Sequence, residues 1–473
     1  MQLIHHPFLK FDQLKPIYNF TYPLFHTISD DYRGQLNFTN PSITERITKA
    51  RTVSLYIHIP FCDTICSFCP FQKGAYKSAD QIDEYMTALF KEIQLKAEFV
   101  NSLEGPIRTI YIGGGTPSIM SAAHLQQLGK ILKTEFDLTN LAEFTLECEA
   151  KSVTEEKLIA ARNIGVNRIS FGVQTFSTRF RPLFDQTATF DDIENTVRWS
   201  QEIIGNVGFD LLYGMHDQSA EELFYDLKRA TELKPEAINL YPINNISITP
   251  KLHKSYANEG MKPSSLAHRQ MMRLISDTFM RGCGYAPCNG HTYVKEANQL
   301  PLNNARMSSA NHFRYHKYLH GYQDDYVVGF GASAQSILGN LVTRADPNRS
   351  RYITDIAEQG TPTVHFNWVP AAQQASKALC MRLPYSGYAD KSRIDWENVD
   401  PVTYQNLTNV IRAGLVTEDH FNLELTQLGW QWYSSLTFFL LPQIDKSIID
   451  GFIDDMMNAP IKLDGTTEVF SAS

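Results

Sequence analysis

A short β-forming run followed by an amphipathic stretch repeats six times between residues 53 and 241, and this alternation restricts the folds open to the chain. The six runs cover residues 53–59, 109–112, 144–147, 168–173, 207–213 and 237–241. Strand-then-helix alternation is the pattern of parallel β/α units. Six units predict an α/β fold built on a partial (β/α)6 barrel, because the full barrel needs eight.

The stretch between the first two runs predicts the clearest helix. Its apolar residues recur at helical spacing, at Ile82, Tyr85, Met86, Leu89, Phe90 and Ile93. Ser78, followed three residues later by Gln81, predicts a capping box at the start of this helix. A second helix is predicted around Leu125 and Leu128.

Changes in pattern divide the chain into four predicted parts. Residues 1–50 show no repeat and contain aromatic and proline positions, which favours an extension wrapped on the core. Residues 51–290 form the predicted barrel, and residues 291–365 form a glycine-rich closing segment. Residues 366–473 alternate helical stretches with short β-like runs, which predicts a small winged-helix-like module.

The composition indicates a folded protein, with 43% hydrophobic and 20% charged residues over 473 positions. The net charge of −8 and the absence of a basic run argue against a nucleic-acid partner. The most apolar stretch, 436–441, ends at Pro442, far short of the roughly 20 residues of a membrane span. The first residues do not build a secretory signal, so we expect a cytoplasmic protein.

Three of the seven cysteines, Cys62, Cys66 and Cys69, lie in one short CxxxCxxC segment directly after the first run. An odd number of cysteines argues against a disulfide framework. Zinc sites usually add a second pair of ligands, and none follows at the right distance. An iron–sulfur cluster tolerates a missing fourth thiolate if something else binds that iron. A cluster is favoured, while zinc and a chance grouping of buried thiols remain open.

Other residues in these patterns lie where β/α proteins place their chemistry. Glu147, Gln174 and Asp210 stand at the carboxyl ends of three successive runs, although a solvated strand end would look the same. A triple glycine, Gly113, Gly114 and Gly115, follows the second run and would let the backbone approach a ligand closely. A simple turn is the competing interpretation.

Together these segments resemble the radical S-adenosylmethionine (SAM) superfamily, and more narrowly the branch around oxygen-independent coproporphyrinogen III oxidase. The similarity covers roughly residues 51–435 and rests on these motifs: YIHIPFC at 56–62, the CxxxCxxC loop, GGGTPS at 113–118, RISFGVQ at 168–174, FDLLYGM at 209–215 and GFGASAQS at 329–336. The resemblance implies a [4Fe-4S] cluster on Cys62, Cys66 and Cys69. Its open iron would bind SAM, and reduction would cleave SAM to a 5′-deoxyadenosyl radical.

The same resemblance implies roles for other residues. The SAM contacts it implies are Gly113, Gly114, Gly115, Thr116, Glu147, Arg168, Gln174, Asp210, Gly331 and Ala332. Within that set, the glycines would meet the methionyl end, the strand-end side chains would hold amino or ribose groups, and the last two residues would close against adenine. Tyr56 would lie close to the cluster or to SAM, and it is one of two candidate catalytic residues with His291.

The chain departs from this branch at three places. Phe71 stands two positions after the third cysteine, where the porphyrinogen oxidase usually carries a further cysteine. The segment 183–187 lacks the arginine and histidine of its relatives, and Ala150 replaces a frequent proline. These departures indicate a divergent member and argue against coproporphyrinogen decarboxylation.

The three-cysteine loop and the C-terminal module are also similar to those of class C radical SAM methyltransferases, which bind two SAM molecules. The first hypothesis is therefore methylation of an sp2 carbon on a planar substrate, with the naphthoquinone ring of menaquinone preferred. The alternatives are an anaerobic haem-degrading methyltransferase, then a coproporphyrinogen III dehydrogenase or a haem chaperone. A flavodoxin- or ferredoxin-type protein would donate electrons.

That reaction needs a proton acceptor and a surface for the substrate. The candidate acceptors are His291, Tyr293, His312 and Tyr315. Aromatic residues between Trp430 and Phe439 could form an apolar surface for a lipid-soluble quinone or tetrapyrrole, with peripheral membrane contact. A helix packed on the barrel would explain the same residues.

Overall fold

The computed structural model of the chain describes residues 15, 20–24, 33–36, 38, 40–47, 49–71, 73–244, 248–295 and 313–458. The described strands are β1 Arg33–Gln35, β2 Thr52–Ile59, β3 Phe61–Cys62, β4 Gly74–Ala75, β5 Ile107–Gly114, β6 Glu143–Cys148, β7 Arg168–Gln174, β8 Val207–Tyr213, β9 Ala237–Pro242, β10 Tyr285–Pro287, β11 Thr292–Lys295, β12 Asp325–Phe330, β13 Gln335–Leu338, β14 Leu341–Ala345, β15 Thr363–Trp368, β16 Tyr388–Asp390, β17 Val416–Glu418 and β18 Asn422–Leu425.

The described helices connect and cover these strands. They are α1 Pro41–Thr44, α2 Ala79–Ser102, α3 Ala122–Glu135, α4 Glu155–Ile164, α5 Phe180–Leu183, α6 Phe190–Ile203, α7 Ala220–Glu232, α8 Pro250–Asn258, α9 Leu266–Gly282, α10 Arg314–Leu319, α11 Arg349–Glu358, α12 Ala371–Lys377, α13 Leu383–Ser386, α14 Pro401–Arg412, α15 Gln427–Gln431, α16 Tyr433–Phe439 and α17 Gln443–Asn458. A π-helical turn, Ala378–Arg382, joins α12 to α13.

The six predicted runs are confirmed as β2, β5, β6, β7, β8 and β9, which pair in parallel in this order. A seventh parallel strand, β12, adds to the free edge of β2. Antiparallel strands extend both edges, so that the main sheet has the order β1-β15-β14-β13-β12-β2-β5-β6-β7-β8-β9-β11-β10. The α/β class is therefore confirmed, and the described strands form an open, partial barrel.

The side chains of the central strands alternate between the outer helices and the inner face of the sheet. On β2, Leu55 and Ile57 are fully buried in the large core that includes α2 and α3, while Ser54 and Tyr56 face the other way. The Thr109 hydroxyl of β5 donates a 2.7 Å hydrogen bond to the Ser54 hydroxyl across this inner face. Parallel pairing thus gathers every second side chain into one interior.

Helix α2 confirms the predicted helix but not its predicted cap. Ser78 is the N-cap residue, yet its side chain makes no capping hydrogen bond. The Gln81 side chain instead accepts a 2.9 Å hydrogen bond from the backbone N–H of Lys77, one residue before the cap. The reciprocal pair predicted from Ser78 and Gln81 is therefore wrong.

The end of the described chain forms a second core around a small antiparallel sheet. Strands β16, β18 and β17 pair in this order, and on the chain α14 lies between β16 and β17; the winged-helix-like module stays a prediction. Three helices, α15, α16 and α17, follow these strands, and turns at Trp432 and around 440–442 separate them. Phe20 and Tyr22 pack into this second core, while β1 pairs with β15 of the main sheet.

The aromatic stretch between Trp430 and Phe439 is mostly interior rather than a surface. Trp430, Trp432, Leu436 and Phe438 are all buried in the second core. The interpretation as a packed helix is therefore the right one, and the apolar surface for a lipid-soluble substrate is wrong. None of the helices in the described ranges is long and apolar enough to cross a membrane.

Two helical glycines provide a matched test of this packing. A Cβ at Gly129 on α3 would lie 2.2 Å from Cγ2 of Ile164 on α4, whereas a Cβ at Gly451 on α17 would meet nothing within 4 Å. We expect Gly451→Ala to raise the free energy of unfolding by up to about 1 kcal/mol, since alanine favours helix. Gly129→Ala should lower it by roughly 1–3 kcal/mol through overpacking. Urea denaturation of both variants checks this, and an equal effect of the two would contradict the helix contact.

Candidate functional site

The three predicted cysteine ligands lie on a loop closed at its base by two short strands. β3 and β4 pair in parallel, and the backbone N–H of Gly74 donates a 3.1 Å hydrogen bond to the Pro60 carbonyl. Cys62 is buried at the end of β3, while Cys66 and Cys69 are half-buried further along the loop. The loop thus leaves directly from the carboxyl end of β2, as the sequence predicts.

The three thiols are close enough to influence one another. Burial, together with smaller contributions from the neighbouring thiols, raises the pKa of Cys62 to about 11 and that of Cys66 to about 12. Two groups oppose this effect: the Thr116 hydroxyl hydrogen-bonds to Cys62, and the Lys73 ammonium lowers both pKa values. The Lys73 ammonium also donates a 2.6 Å hydrogen bond to the Cys69 carbonyl.

This donor set fits a cluster better than a single metal ion. Among the described residues, no three Cys, His, Asp or Glu side chains converge to hold one ion. The thiolates of a cubane each bind a different iron, so they need to surround a volume rather than a point. Three neighbouring thiols on one loop, with a lysine facing them, therefore suit a [4Fe-4S] cluster.

The glycine loop after β5 is shaped by its protein neighbours. Gly114 has φ +115°, and a Cβ there would lie 2.7 Å from the His58 ring. A Cβ at Gly113 would lie 2.6 Å from Oε2 of Glu147, and one at Gly115 would lie 2.4 Å from the Phe61 carbonyl oxygen. The backbone N–H of Thr116 donates a 2.6 Å hydrogen bond to the Phe61 carbonyl. The three glycines thus bring the loop against the strand that leads into the cysteines.

Glu147 on β6 faces the interior beside this loop. The Tyr111 hydroxyl donates a hydrogen bond to Oε1 of Glu147, and the backbone N–H of Gly114 donates a 3.1 Å hydrogen bond to Oε2. Burial raises the pKa of Glu147 to about 7, the nearby Asp210 carboxylate raises it too, and the two hydrogen bonds oppose the rise. The carboxyl group can therefore gain or lose a proton near neutral pH.

Arg168 starts β7 and is fully buried on the same interior face. Its Nε and both Nη atoms make no hydrogen bond to any described residue. The guanidinium carbon lies 3.8 Å from the ring centroid of Phe313, and the positive charge lowers the pKa of Glu147 and Asp210. A buried guanidinium with free donors is suited to a carboxylate ligand.

Of the two other predicted strand-end residues, Gln174 does end its strand, but Asp210 lies in the middle of β8, so its predicted place at a strand end is wrong. Asp210 on β8 accepts hydrogen bonds from Nδ2 of Asn239, at 2.5 Å, and from the Ser170 hydroxyl, at 3.4 Å. Burial raises the pKa of Asp210, and these two donors oppose the rise. Gln174 ends β7 with φ +67°, a backbone conformation unusual for a residue with a side chain. Its amide lies beside Gly172, where a Cβ would come within 2.7 Å.

Tyr56 lies on β2 within a row of aromatic rings. Its hydroxyl is 2.8 Å from Nδ1 of His58, and its ring stacks at 6.2 Å on both Tyr111 and Tyr315. Tyr315 is held there because Glu143 accepts hydrogen bonds from the backbone N–H groups of Arg314, at 2.6 Å, and Tyr315, at 3.2 Å. Tyr111 was not predicted as a site residue. It could have been, because Tyr111 lies two residues before Gly113 on β5 and therefore faces the same side of the sheet.

His291 is fully buried beside the C-terminal core. Its Nδ1 lies 2.6 Å from the Tyr433 hydroxyl, and its ring meets the Tyr385 ring edge to face at 5.3 Å. Burial lowers the pKa of His291 well below its usual value, so the imidazole is neutral. A neutral imidazole can accept a proton, but no contact of this ring with Tyr56 or the cysteine loop is seen among the described residues.

The remaining predicted residues are placed differently. The backbone N–H group of Gly331 donates a 2.8 Å hydrogen bond to Glu92, and that of Ala332 donates a 3.0 Å hydrogen bond to the Tyr85 hydroxyl. Both N–H groups are therefore occupied by side chains of α2. Contact of these two residues with adenine stays a prediction. Tyr293 donates a 2.9 Å hydrogen bond to Asp277. His312 lies outside the described residues.

Comparison with known proteins identifies one family model and several relatives. The radical SAM superfamily model matches residues 56–230, which contain the three cysteines, the glycine loop and the polar strand ends. The chain is 32% identical over 294 residues to the heme chaperone HemW of Lactococcus lactis, covering 61% of this chain and 70% of that protein. It is 30% identical over 257 residues to anaerobilin synthase of Escherichia coli, covering 54% and 55%.

One solved structure is similar over nearly the whole chain. Coproporphyrinogen III oxidase (HemN) from Escherichia coli superposes with a TM-score of 0.71 at 21% identity, covering 89% of this chain and 96% of that one. With 89% of the chain covered, this likeness extends well beyond the matched superfamily segment. It shows a shared fold.

The raised pKa of Glu147 predicts a pH-dependent difference in stability. The folded protein holds a proton on Glu147 up to pH about 7, whereas the unfolded chain releases it near 4.5. Wild-type stability should therefore fall as pH rises between these values, and the Glu147→Gln variant should lose this contribution. Urea denaturation at several pH values should show the variant gaining stability relative to wild type from pH 5 to 7, then levelling off.

An exposed carboxyl group supplies the control for this measurement. Glu98 on α2 is exposed to solvent. Glu98→Gln makes the same chemical change away from the interior and is measured in parallel. A Glu147→Gln difference that does not change between pH 5 and 7 would contradict the raised pKa.

Proposed function

We propose that this chain, which belongs to the radical SAM superfamily and to its branch of coproporphyrinogen III oxidases and heme chaperones, acts on a tetrapyrrole. As a member of that superfamily it uses a [4Fe-4S] cluster and SAM. The proposal is supported by the cysteine loop and polar interior described above, taken together with the names of the relatives. Anaerobilin synthase, the heme chaperone HemW and coproporphyrinogen III oxidase are all named for tetrapyrroles.

Cys62, Cys66 and Cys69 would hold the cluster and leave one iron for SAM. When bound, the cluster supplies the electron that cleaves SAM to a 5′-deoxyadenosyl radical. Lys73 would help the thiols to deprotonate, because its charge already lowers the pKa of Cys62 and Cys66. Metal binding needs this deprotonation, since the thiolate is the ligand.

The polar interior would bind the remainder of SAM. Glu147 suits the ammonium group when ionised, and Arg168 suits the carboxylate because its donors are free among the described residues. Gln174, at the end of β7, and Asp210, in the middle of β8, could hold hydroxyl groups of the ribose. The Tyr56, Tyr111 and Tyr315 rings offer stacked aromatic faces beside these groups.

Haem is the tetrapyrrole we favour, with methyl transfer and ring opening as the reaction. Phe71 stands where the porphyrinogen oxidase usually carries a cysteine, which argues against decarboxylation of coproporphyrinogen. Menaquinone loses the support of the late aromatic residues, because these are buried, and none of the relatives named above is named for a quinone. A haem chaperone is the second candidate, favoured by the 32% identity with HemW.

Single cysteine substitutions test the cluster assignment. After anaerobic reconstitution, Cys62→Ser, Cys66→Ser and Cys69→Ser should each lose iron and sulfide and should form no 5′-deoxyadenosine from SAM. Cys283 is free and exposed, so Cys283→Ser should keep both at the wild-type level. Full cluster content in any of the three loop variants would contradict the assignment, as would zinc in wild-type protein purified without added metal.

The substrate is tested by offering haem, coproporphyrinogen III and menaquinone separately, under anaerobic conditions, with methyl-labelled SAM and a chemical reductant. We expect label in a tetrapyrrole product, together with loss of haem absorbance and formation of both S-adenosylhomocysteine and 5′-deoxyadenosine. Mass spectrometry identifies the product. Tight haem binding without product would favour the chaperone, and label in menaquinone would overturn the tetrapyrrole proposal.

A further inference from the structure

The segment 184–187, which follows α5, contacts the cysteine loop. In the sequence this segment is noticed only because it differs from related proteins. Asp185 and Gln186 lie where relatives carry an arginine and its neighbour. Both side chains are half-buried. Asp185 contacts Ser67, which lies between the second and third cysteines, and Gln186 contacts Cys66, the second cysteine itself.

Gln186 contacts one of the three thiols directly. Its side-chain amide nitrogen donates a hydrogen bond to Sγ of Cys66 at 3.1 Å. Cys66 is half-buried, so its sulfur is partly shielded from water. A hydrogen bond in such surroundings is stronger than one in water.

Asp185 fixes the position of the residue that follows it. Its backbone has φ +57°, in the left-handed region that aspartate tolerates better than most side chains. Its Oδ2 accepts a 2.5 Å hydrogen bond from the Ser67 hydroxyl, and its Oδ1 pairs with the Lys251 ammonium. The turn at Asp185 and the contact with Ser67 therefore place Gln186 opposite Cys66.

Two further contacts hold the same part of the loop. The Ser67 carbonyl accepts hydrogen bonds from the backbone N–H of Thr249, at 3.0 Å, and from its hydroxyl, at 2.8 Å. The Phe68 ring packs on Phe184 at 5.1 Å. The backbone around Cys66 is thus fixed from two sides, and the Gln186 amide does not follow a mobile loop.

We propose that Gln186 is a positioning residue that raises the reduction potential of the cluster by donating a hydrogen bond to the Cys66 thiolate. Reduction adds negative charge that is shared with the sulfur ligands, so a donor stabilises the reduced form more than the oxidised form. Hydrogen bonds to the sulfurs are among the factors that set cluster potentials. This inference rests on the proposed function only in requiring that Cys66 bind the cluster.

A charge series at position 186 tests the proposal in the full-length, cluster-loaded protein. Gln186→Leu removes the donor, Gln186→Glu replaces it with a negative charge, and Gln186→Lys supplies a positively charged donor. The midpoint potential is measured by redox titration, followed through the electron paramagnetic resonance signal of the reduced cluster. Iron and sulfide are counted in every sample.

We expect the potential to fall in Gln186→Leu, to fall further in Gln186→Glu, and to equal or exceed the wild-type value in Gln186→Lys. Gln127 on α3 is exposed, and Gln127→Leu should leave the potential unchanged. A midpoint potential does not depend on how many molecules carry the cluster, so a variant that loads poorly still gives a result.

Each other outcome has a separate meaning. The same potential in all three Gln186 variants would overturn the inference, while a loaded cluster would leave the proposed function standing. A shift of equal sign in Gln186→Glu and Gln186→Lys would also overturn it, because disturbed packing rather than charge would then be responsible. A wild-type protein that binds no cluster would instead overturn the proposed function.

Discussion

The two-residue alternation of side chains along the central parallel strands is the constraint on which the rest of the structure depends. On β2, β5, β6 and β7, one set of side chains packs against the outer helices, and the other set faces the interior. Parallel pairing then fixes the height of each inward residue: Tyr56 is level with Tyr111, and Glu147 is level with Ser170. A slip of one residue in any strand would move its apolar set inward and its polar set outward. The same alternation of side chains therefore produces both the hydrophobic core and the candidate site.

The interior gathered in this way contains more charge than a stable core would need. Glu143 is buried and Glu147 and Asp210 are half-buried around the guanidinium of Arg168, and desolvation raises the pKa of all three carboxyl groups. Glu143 is used structurally, because it accepts two backbone hydrogen bonds at the start of α10. Glu147 and Asp210 keep capacity for further partners, and so does Arg168. A ligand with an ammonium group and a carboxylate would satisfy both signs of charge, so this region accepts a cost in stability that binding could offset.

Features that depend on local pattern could be predicted from the sequence, and features that depend on distant contacts could not. The six parallel strands and the cysteine loop follow from hydrophobic period and spacing, and the structure has them within about two residues. The place of β12 beside β2 could not be predicted, since it joins segments that lie far apart in the chain. For the same reason, the contact of His291 with Tyr433 was not foreseen. The capping box at Ser78 failed because Gln81 bonds to the preceding residue instead.

The role of the segment after α5 is indicated by its contacts in the structure, and not by its sequence difference from related proteins alone. Replacing an arginine by Asp185 removes a positive charge and adds a negative one close to the cysteine loop. The Lys251 ammonium offsets the added charge locally, and the Ser67 hydroxyl uses the carboxylate as an acceptor. The group that hydrogen-bonds to the Cys66 sulfur from this segment is a neutral amide, that of Gln186. Arg168, at the start of β7, is left as a buried guanidinium whose donors are free among the described residues. The positive charge available to a carboxylate ligand therefore lies on the inner face of the sheet, while the loop that carries the thiols is held by hydrogen bonds.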